Sequence, residues 1–151
     1  MTVYLVRHAH ALNRHEWAHD DIERPLAERG FLQAQALIDL LGDKGISRLL
    51  TSPAVRCRQT LDPLAAHLGL PIDEAPELLE GSSVTGARAL LDAVAGADVA
   101  LCSHGDVIPD VVHQLMAEGM DANSRDTKKG STWVLTHDGR RFVKGRYLPA
   151  P

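Results

Sequence analysis

The chain has 151 residues, 44% of them hydrophobic and 24% charged, with a net charge of -4 and a pI near 6.0. Those proportions fit one domain, residues 1–151, with enough chain to bury a core. They argue against nucleic acid or an anionic membrane as partner, since both favour a basic surface. Cys57 and Cys102 lie far apart in apolar or helical surroundings and are expected to be buried, reduced thiols. The opening run Thr2-Val3-Tyr4-Leu5-Val6 has no charged leader and no long apolar stretch, so a cytoplasmic location is the expectation.

In chain order, the short apolar run Val3 to Val6 reads as a buried strand that ends abruptly in Arg7-His8. His10 to Glu23 is polar and reads as a long surface loop. A helix is expected next, with Pro25 in its first turn, an apolar face of Leu26, Ala34, Leu37, Ile38 and Leu41, and Gly42 as its stop. Ile46 to Leu50 is a second strand. Ser52-Pro53 reads as an N-cap and a first-turn proline for a helix running to Leu68, ended by Gly69 and Pro71, with Ile72 in a minor strand. The spacing of Val84, Ala87, Leu90, Leu91 and Val94 is helical. Val99 to Cys102 is a buried strand ending at Ser103-His104-Gly105, and Val107 to Met116 a further helix. Two strand-like runs, Trp133 to Leu135 and Phe142 to Tyr147, flank His137-Asp138-Gly139, a hairpin signal. Alternation of strands and helices predicts an α/β fold: three layers, with a mostly parallel central sheet flanked by helices.

Three of these strands end in polar clusters: Arg7-His8, Thr51-Ser52 leading to Arg56, and Ser103-His104-Gly105. Ligands of open α/β sheets bind beyond the carboxyl ends of the strands, so the three clusters should converge. Two arginines facing one pocket repel unless an anion lies between them, and arginine clamps phosphate oxygens in bidentate fashion. Arg56 would sit one turn into a helix whose free N–H groups also favour an anion. Histidine near neutral pH can act as nucleophile or donor. The combination outlines a phosphoryl-transfer site.

Four blocks then carry a resemblance. Arg7-His8-Ala9 resembles the Arg-His-Gly signature of the histidine phosphatase superfamily, with Ala in third place. Ser52-Pro53, Arg56 and Gln59-Thr60 resemble its second block, Ser103-His104-Gly105 the block with the second histidine, and Arg24-Pro25-Leu26, Arg29-Gly30 and Gln33-Ala34 the helix after the signature loop. The resemblance implies a phosphoglycerate mutase-like fold and a phosphohydrolase that needs neither metal nor other cofactor. It implies that His8 attacks phosphorus and becomes phosphohistidine, while Arg7, Arg56 and a protonated His104 hold the phosphoryl oxygens. Glu80 in Glu77-Leu78-Leu79-Glu80-Gly81 matches the position of the proton donor, with Asp106 as the alternative. Arg14, where many relatives carry Asn, would add positive charge to the pocket. His10, His15, Arg24, Gly105 and Asp106 are expected around the substrate. The short chain and the Ala9 variant look most like small phosphohistidine phosphatases and like the phosphatase-like domains attached to some Nudix hydrolases. The expected substrates are a phosphohistidine protein, then a nucleotide, then a small phosphate ester. A mutase-like phosphotransferase and a non-catalytic phospho-ligand binding module are the alternatives.

His15-Glu16-Trp17-Ala18-His19 also matches the zinc-protease pattern, but that motif needs a helix, and here it falls in a polar loop ahead of Pro25. These residues are expected at the rim of the pocket. Trp17 and Trp133 are expected to pack, and Arg58 to lie on a helix surface.

Overall fold

The computed structural model describes residues 1–151. Its strands are β1 (Thr2–Arg7), β2 (Arg48–Thr51), β3 (Ile72–Glu74), β4 (Val99–Ser103), β5 (Asp121–Ala122), β6 (Thr132–His137) and β7 (Phe142–Leu148). Its helices are α1 (Glu28–Leu41), α2 (Val55–Leu68), α3 (Val84–Val94) and α4 (Val107–Ala117), with short 3-10 turns at Asp21–Glu23 and Pro76–Leu78. All seven strands form one sheet in the order β3-β2-β4-β1-β6-β7-β5. The pairs from β3 to β1 are parallel, β1-β6 and β6-β7 are antiparallel, and the short β5 adds in parallel to β7. The expected mostly parallel, three-layer α/β architecture is therefore observed.

The layers follow from strand alternation, which sends successive side chains to opposite faces. Val3 and Leu5 of β1, with Val99 and Leu101 of β4, join Leu91, Val111 and Leu115 of α3 and α4 in one core. Tyr4, Val6, Ala100 and Cys102 join Leu37, Leu41, Leu61 and Leu64 of α1 and α2 in the other. Because helices cover both faces, the central strands are apolar throughout rather than alternating with polar residues. Truncating Leu101, fully buried, to Ala should cost about 2–5 kcal/mol.

Several boundaries move, each for a local reason. Helix α1 starts at Glu28 rather than near Pro25, because Leu26 is held extended: it bridges Ala11, and its N–H donates to Gln59 Oε1 at 2.8 Å. Helix α2 starts at Val55 rather than Pro53. Ser52 accepts the Ala54 N–H at 3.2 Å, but its hydroxyl also lies 2.8 Å from His104 Nε2. The site, not the helix, has recruited that serine, and Arg56 is consequently the second helical residue rather than one turn in. The Asp138-Gly139 hairpin forms as expected. Asp138 Oδ1 accepts the Arg140 and Arg141 N–H groups, and Gly139 takes φ +100°, where a side chain would be strained. Cys57 and Cys102 are free and buried, and Trp133 packs in the core. No helix is long and apolar enough to cross a membrane.

Candidate phosphoryl-transfer site

Sheet register brings the polar clusters together. Parallel pairing of Arg7 with Ser103 places His8 beside His104, and the His8 N–H donates to Ser103 O at 3.0 Å. Ser52 N–H likewise donates to Cys102 O at 3.0 Å, which sets the start of α2 beside the same strand ends. The rings of His8 and His104 meet edge to face with centroids 5.4 Å apart.

His8 is 6% exposed, and its Nδ1 lies 2.8 Å from Ala9 O. A carbonyl only accepts, so Nδ1 carries the ring proton and Nε2 keeps its lone pair. Burial pushes the imidazole pKa down to about 3; the Ala9 carbonyl opposes this, while His104, Arg56 and Arg7 add to it. His8 is therefore a neutral imidazole at neutral pH, with Nε2 free of a proton.

The signature loop is tied from three sides. Ala9 N–H donates to Thr60 Oγ1 at 3.0 Å, and His10 N–H donates to Gln33 Oε1 at 3.0 Å. Ala27 N–H donates to His10 O at 3.0 Å. Gly30 permits that approach, since a Cβ there would fall 2.0 Å from His10 O. Gly105 does the same for Arg7: a Cβ would meet its guanidinium at 2.6 Å. Arg7 Nη1 donates to Thr127 O at 2.7 Å, and burial lowers its pKa.

Arg56, 1% exposed, donates to Asp21 O at 2.8 Å and Asp21 Oδ2 at 3.1 Å, and its Nη2 lies 3.4 Å from both Glu80 Oε2 and His104 Nδ1. A guanidinium only donates, so the last contact fits a neutral His104 that gives its Nε2 proton to Ser52 Oγ. Arg7 and Arg56 each leave a buried Nε without a partner.

Glu80 stands at the rim, its side chain 41% exposed, with Oε1 3.3 Å from Arg14 Nη2. Asp106 is committed elsewhere, Oδ1 accepting Val107 N–H at 2.8 Å and Oδ2 accepting Gly81 N–H at 2.7 Å. His10, Arg14, His15, Gly105 and Asp106 all line the pocket of about 590 Å³ above His8. Arg24 lines it too, but its donors hold Asp21 Oδ1 at 2.9 Å and Leu12 O at 2.7 Å. No helix runs from His15 to His19, so the zinc-protease geometry does not arise.

Asp21 belongs to the site although no motif contains it, and Ser52, expected as a helix cap, lies against His104. Asp21 is the hub of the rim, within 3.6 Å of Arg14, Arg24 and Arg56. Burial alone would raise its pKa, but the Arg24 hydrogen bond and the three arginine charges outweigh it and lower it. Only Asp21's place among arginines far off in sequence marks it, so no local motif could have revealed it.

Comparison with known proteins follows the geometry. The fold is that of the protein histidine phosphatase SixA solved with tungstate: TM-score 0.78, 25% identity, covering 99% of this chain and 95% of that one. A mycobacterial glucosyl-3-phosphoglycerate phosphatase solved with VO3 shares the fold at TM-score 0.74 and 15% identity, covering 97% of this chain and 96% of that one. Residues 3–85 match the histidine phosphatase superfamily (branch 1), and the chain belongs to that family. An 8-oxo-(d)GTP phosphatase of Mycolicibacterium smegmatis is 35% identical over 156 residues, covering 99% of this chain and 48% of that protein. The chain thus spans about half the length of that relative.

Proposed function

We propose that the chain is a metal-independent phosphatase, folded as one domain, that works through a phosphohistidine on His8 and takes a nucleotide as its substrate. The observation that carries this is the state of His8: Nδ1 bound to the Ala9 carbonyl, Nε2 unprotonated, and Arg7 and Arg56 among the charges at the same strand ends. In this reading Nε2 attacks phosphorus and the bond to the leaving group breaks. Arg7, Arg56 and His104 stabilise the charge on the phosphoryl oxygens. Glu80 protonates an alkoxide leaving group, a role favoured over Asp106 because both Asp106 oxygens are held by backbone N–H groups. Water then hydrolyses the phosphohistidine.

The nucleotide is preferred over a phosphohistidine protein because the 35% identical relative that matches 99% of this chain is named for a nucleotide. The phosphoprotein is the second reading, supported by the likeness to SixA and by the open pocket. Two buried free thiols suit a reducing compartment such as the cytoplasm.

The test is hydrolysis of an aryl phosphate in the presence of chelator, wild type against His8→Ala, together with trapping of an acid-labile, alkali-stable phosphoryl label on the protein. Chelator-resistant turnover and label, both lost in the folded variant, are expected. Turnover that His8→Ala retains, or that chelator abolishes, overturns the proposal.

A further inference from the structure

A second cleft of about 530 Å³ opens beside the catalytic pocket, and Arg7, His10 and Lys129 form the ridge common to both. Arg29 at the start of α1 and Lys128 supply its other charges, while Tyr147 and Pro149 make an apolar side.

Charge balance separates the two spaces. In the catalytic pocket, Arg14, Arg24 and Arg56 each stand within 3.6 Å of the Asp21 or Glu80 carboxylate. No acidic side chain lines the second cleft, and Arg29, Lys128 and Lys129 enter none of the molecule's ion pairs. The excess is felt locally. Burial, then Arg7, Arg24 and Arg14, lower the Lys129 pKa; burial, then Lys129 and Arg29, lower that of His10.

Surface lysines ordinarily spread into solvent, but this loop is pinned. Trp133 Nε1 donates to Asp126 O at 2.9 Å, and Arg7 Nη1 donates to Thr127 O. Gly130 N–H donates to the carbonyl of His8 itself at 3.0 Å. The backbone that carries the two lysines is thereby held in fixed relation to the nucleophile. Cations converging on a concave surface without carboxylates attract an anion.

We propose that this cleft is a second anion subsite, and that the substrate carries at least two adjacent phosphoryl groups, one reacting at His8 and the next held by Lys129, Lys128 and Arg29. A nucleotide bearing a phosphate chain then lies across Arg7, with its nucleoside against Tyr147 and Pro149. This rests on the assignment of the His8 pocket as the phosphoryl-transfer site.

The test is calorimetric binding of inorganic phosphate and of pyrophosphate to the full chain. Compared with wild type are the double variant Arg29→Gln/Lys128→Gln, the charge-keeping Arg29→Lys/Lys128→Arg, and a remote control of equal charge loss, Lys44→Gln/Arg140→Gln. The wild type should bind pyrophosphate about tenfold or more tightly than phosphate, which is a single good charge-assisted contact in magnitude. That preference should fall towards unity in the Gln pair and persist in the other two, with unchanged thermal melts showing that all are folded. No preference in the wild type, or an equal loss in the remote control, overturns the subsite. Binding is read without turnover, so a protein that discriminates between the two anions but never labels on His8 would refute the phosphatase assignment separately.

Discussion

The floor and the rim of the catalytic pocket are built by different physics. On the floor, His8, Arg56 and His104 are at most 6% exposed and sit at the ends of paired strands or in the first turn of α2, where sheet register dictates their spacing. At the rim, Arg14 and Glu80 have side chains 60% and 41% exposed, joined through Asp21 and Arg56 by ion pairs rather than by packing. The exposed pairs of Arg14 are each worth roughly 0–1 kcal/mol, so the outer rim can rearrange around a substrate at little cost, whereas the buried floor is held by packing and sheet register. Under the proposed mechanism, rigidity suits the groups that meet phosphorus in line, and adaptability suits those that meet the leaving group.

Acid should expose the floor first. His8 is held neutral down to about pH 3, whereas an unfolded histidine protonates below about 6.5. With the folded pKa depressed, the contribution to stability is present above pH 6.5 and is lost as pH falls from there towards 3, by at most about 5 kcal/mol. Urea unfolding between pH 7.5 and 4 should show a steep decline in the wild type and a shallower one in His8→Asn. Parallel curves would mean that burial of His8 is not what couples this fold to protons.

Glu80→Gln should cost alkyl phosphate esters about 10²–10⁴-fold in kcat, the usual contribution of a positioned acid. A phosphohistidine substrate, whose imidazole leaves readily, should lose far less. Equal slowing of both would remove Glu80 as the proton donor and make it a binding group only.

Gly105→Ala separates floor geometry from floor charge. Its Cβ would strike the Arg7 guanidinium at 2.6 Å and push it aside without altering any charge. A fall of roughly 10²-fold in kcat/KM for an aryl phosphate is expected, the scale of misplacing a positioning group, and wild-type rates would show that Arg7 does not touch the reacting phosphoryl group.

The smallest effect should come from Asp21→Asn. It removes the charge facing three arginines, two of them nearly buried, so a stability loss of roughly 1–3 kcal/mol and a several-fold change in KM are expected, with little change in kcat. A large loss of kcat instead would place Asp21 in the floor's machinery and blur the distinction between the two regions.

Much of this was written locally. Short apolar runs ending in Arg7-His8, Thr51-Ser52 and Ser103-His104 announce buried parallel strands whose carboxyl ends carry chemistry, because a strand buried on both faces cannot alternate and its polar residues must wait for its end. Gly30, Gln33, Gln59 and Thr60 belonged to recognisable blocks, although their task, holding the loop from His8 to Ala27, is visible only in three dimensions. Helix α2 starts two residues later than Ser52-Pro53 suggests, where Ser52 has two partners and only the fold presents His104 to it. Asp21 meets Arg56 from 35 residues away, and Thr127 meets Arg7 from 120. The sequence by itself determined which polar residues stand at the strand ends and in which layer the apolar ones lie, since periodicity and composition are properties of neighbours along the chain. Which charges are balanced, which proton a histidine carries and where positive charge is left over were decided by the tertiary structure alone, because electrostatic energy depends on distance through space and on burial, and neither is written in the order of residues.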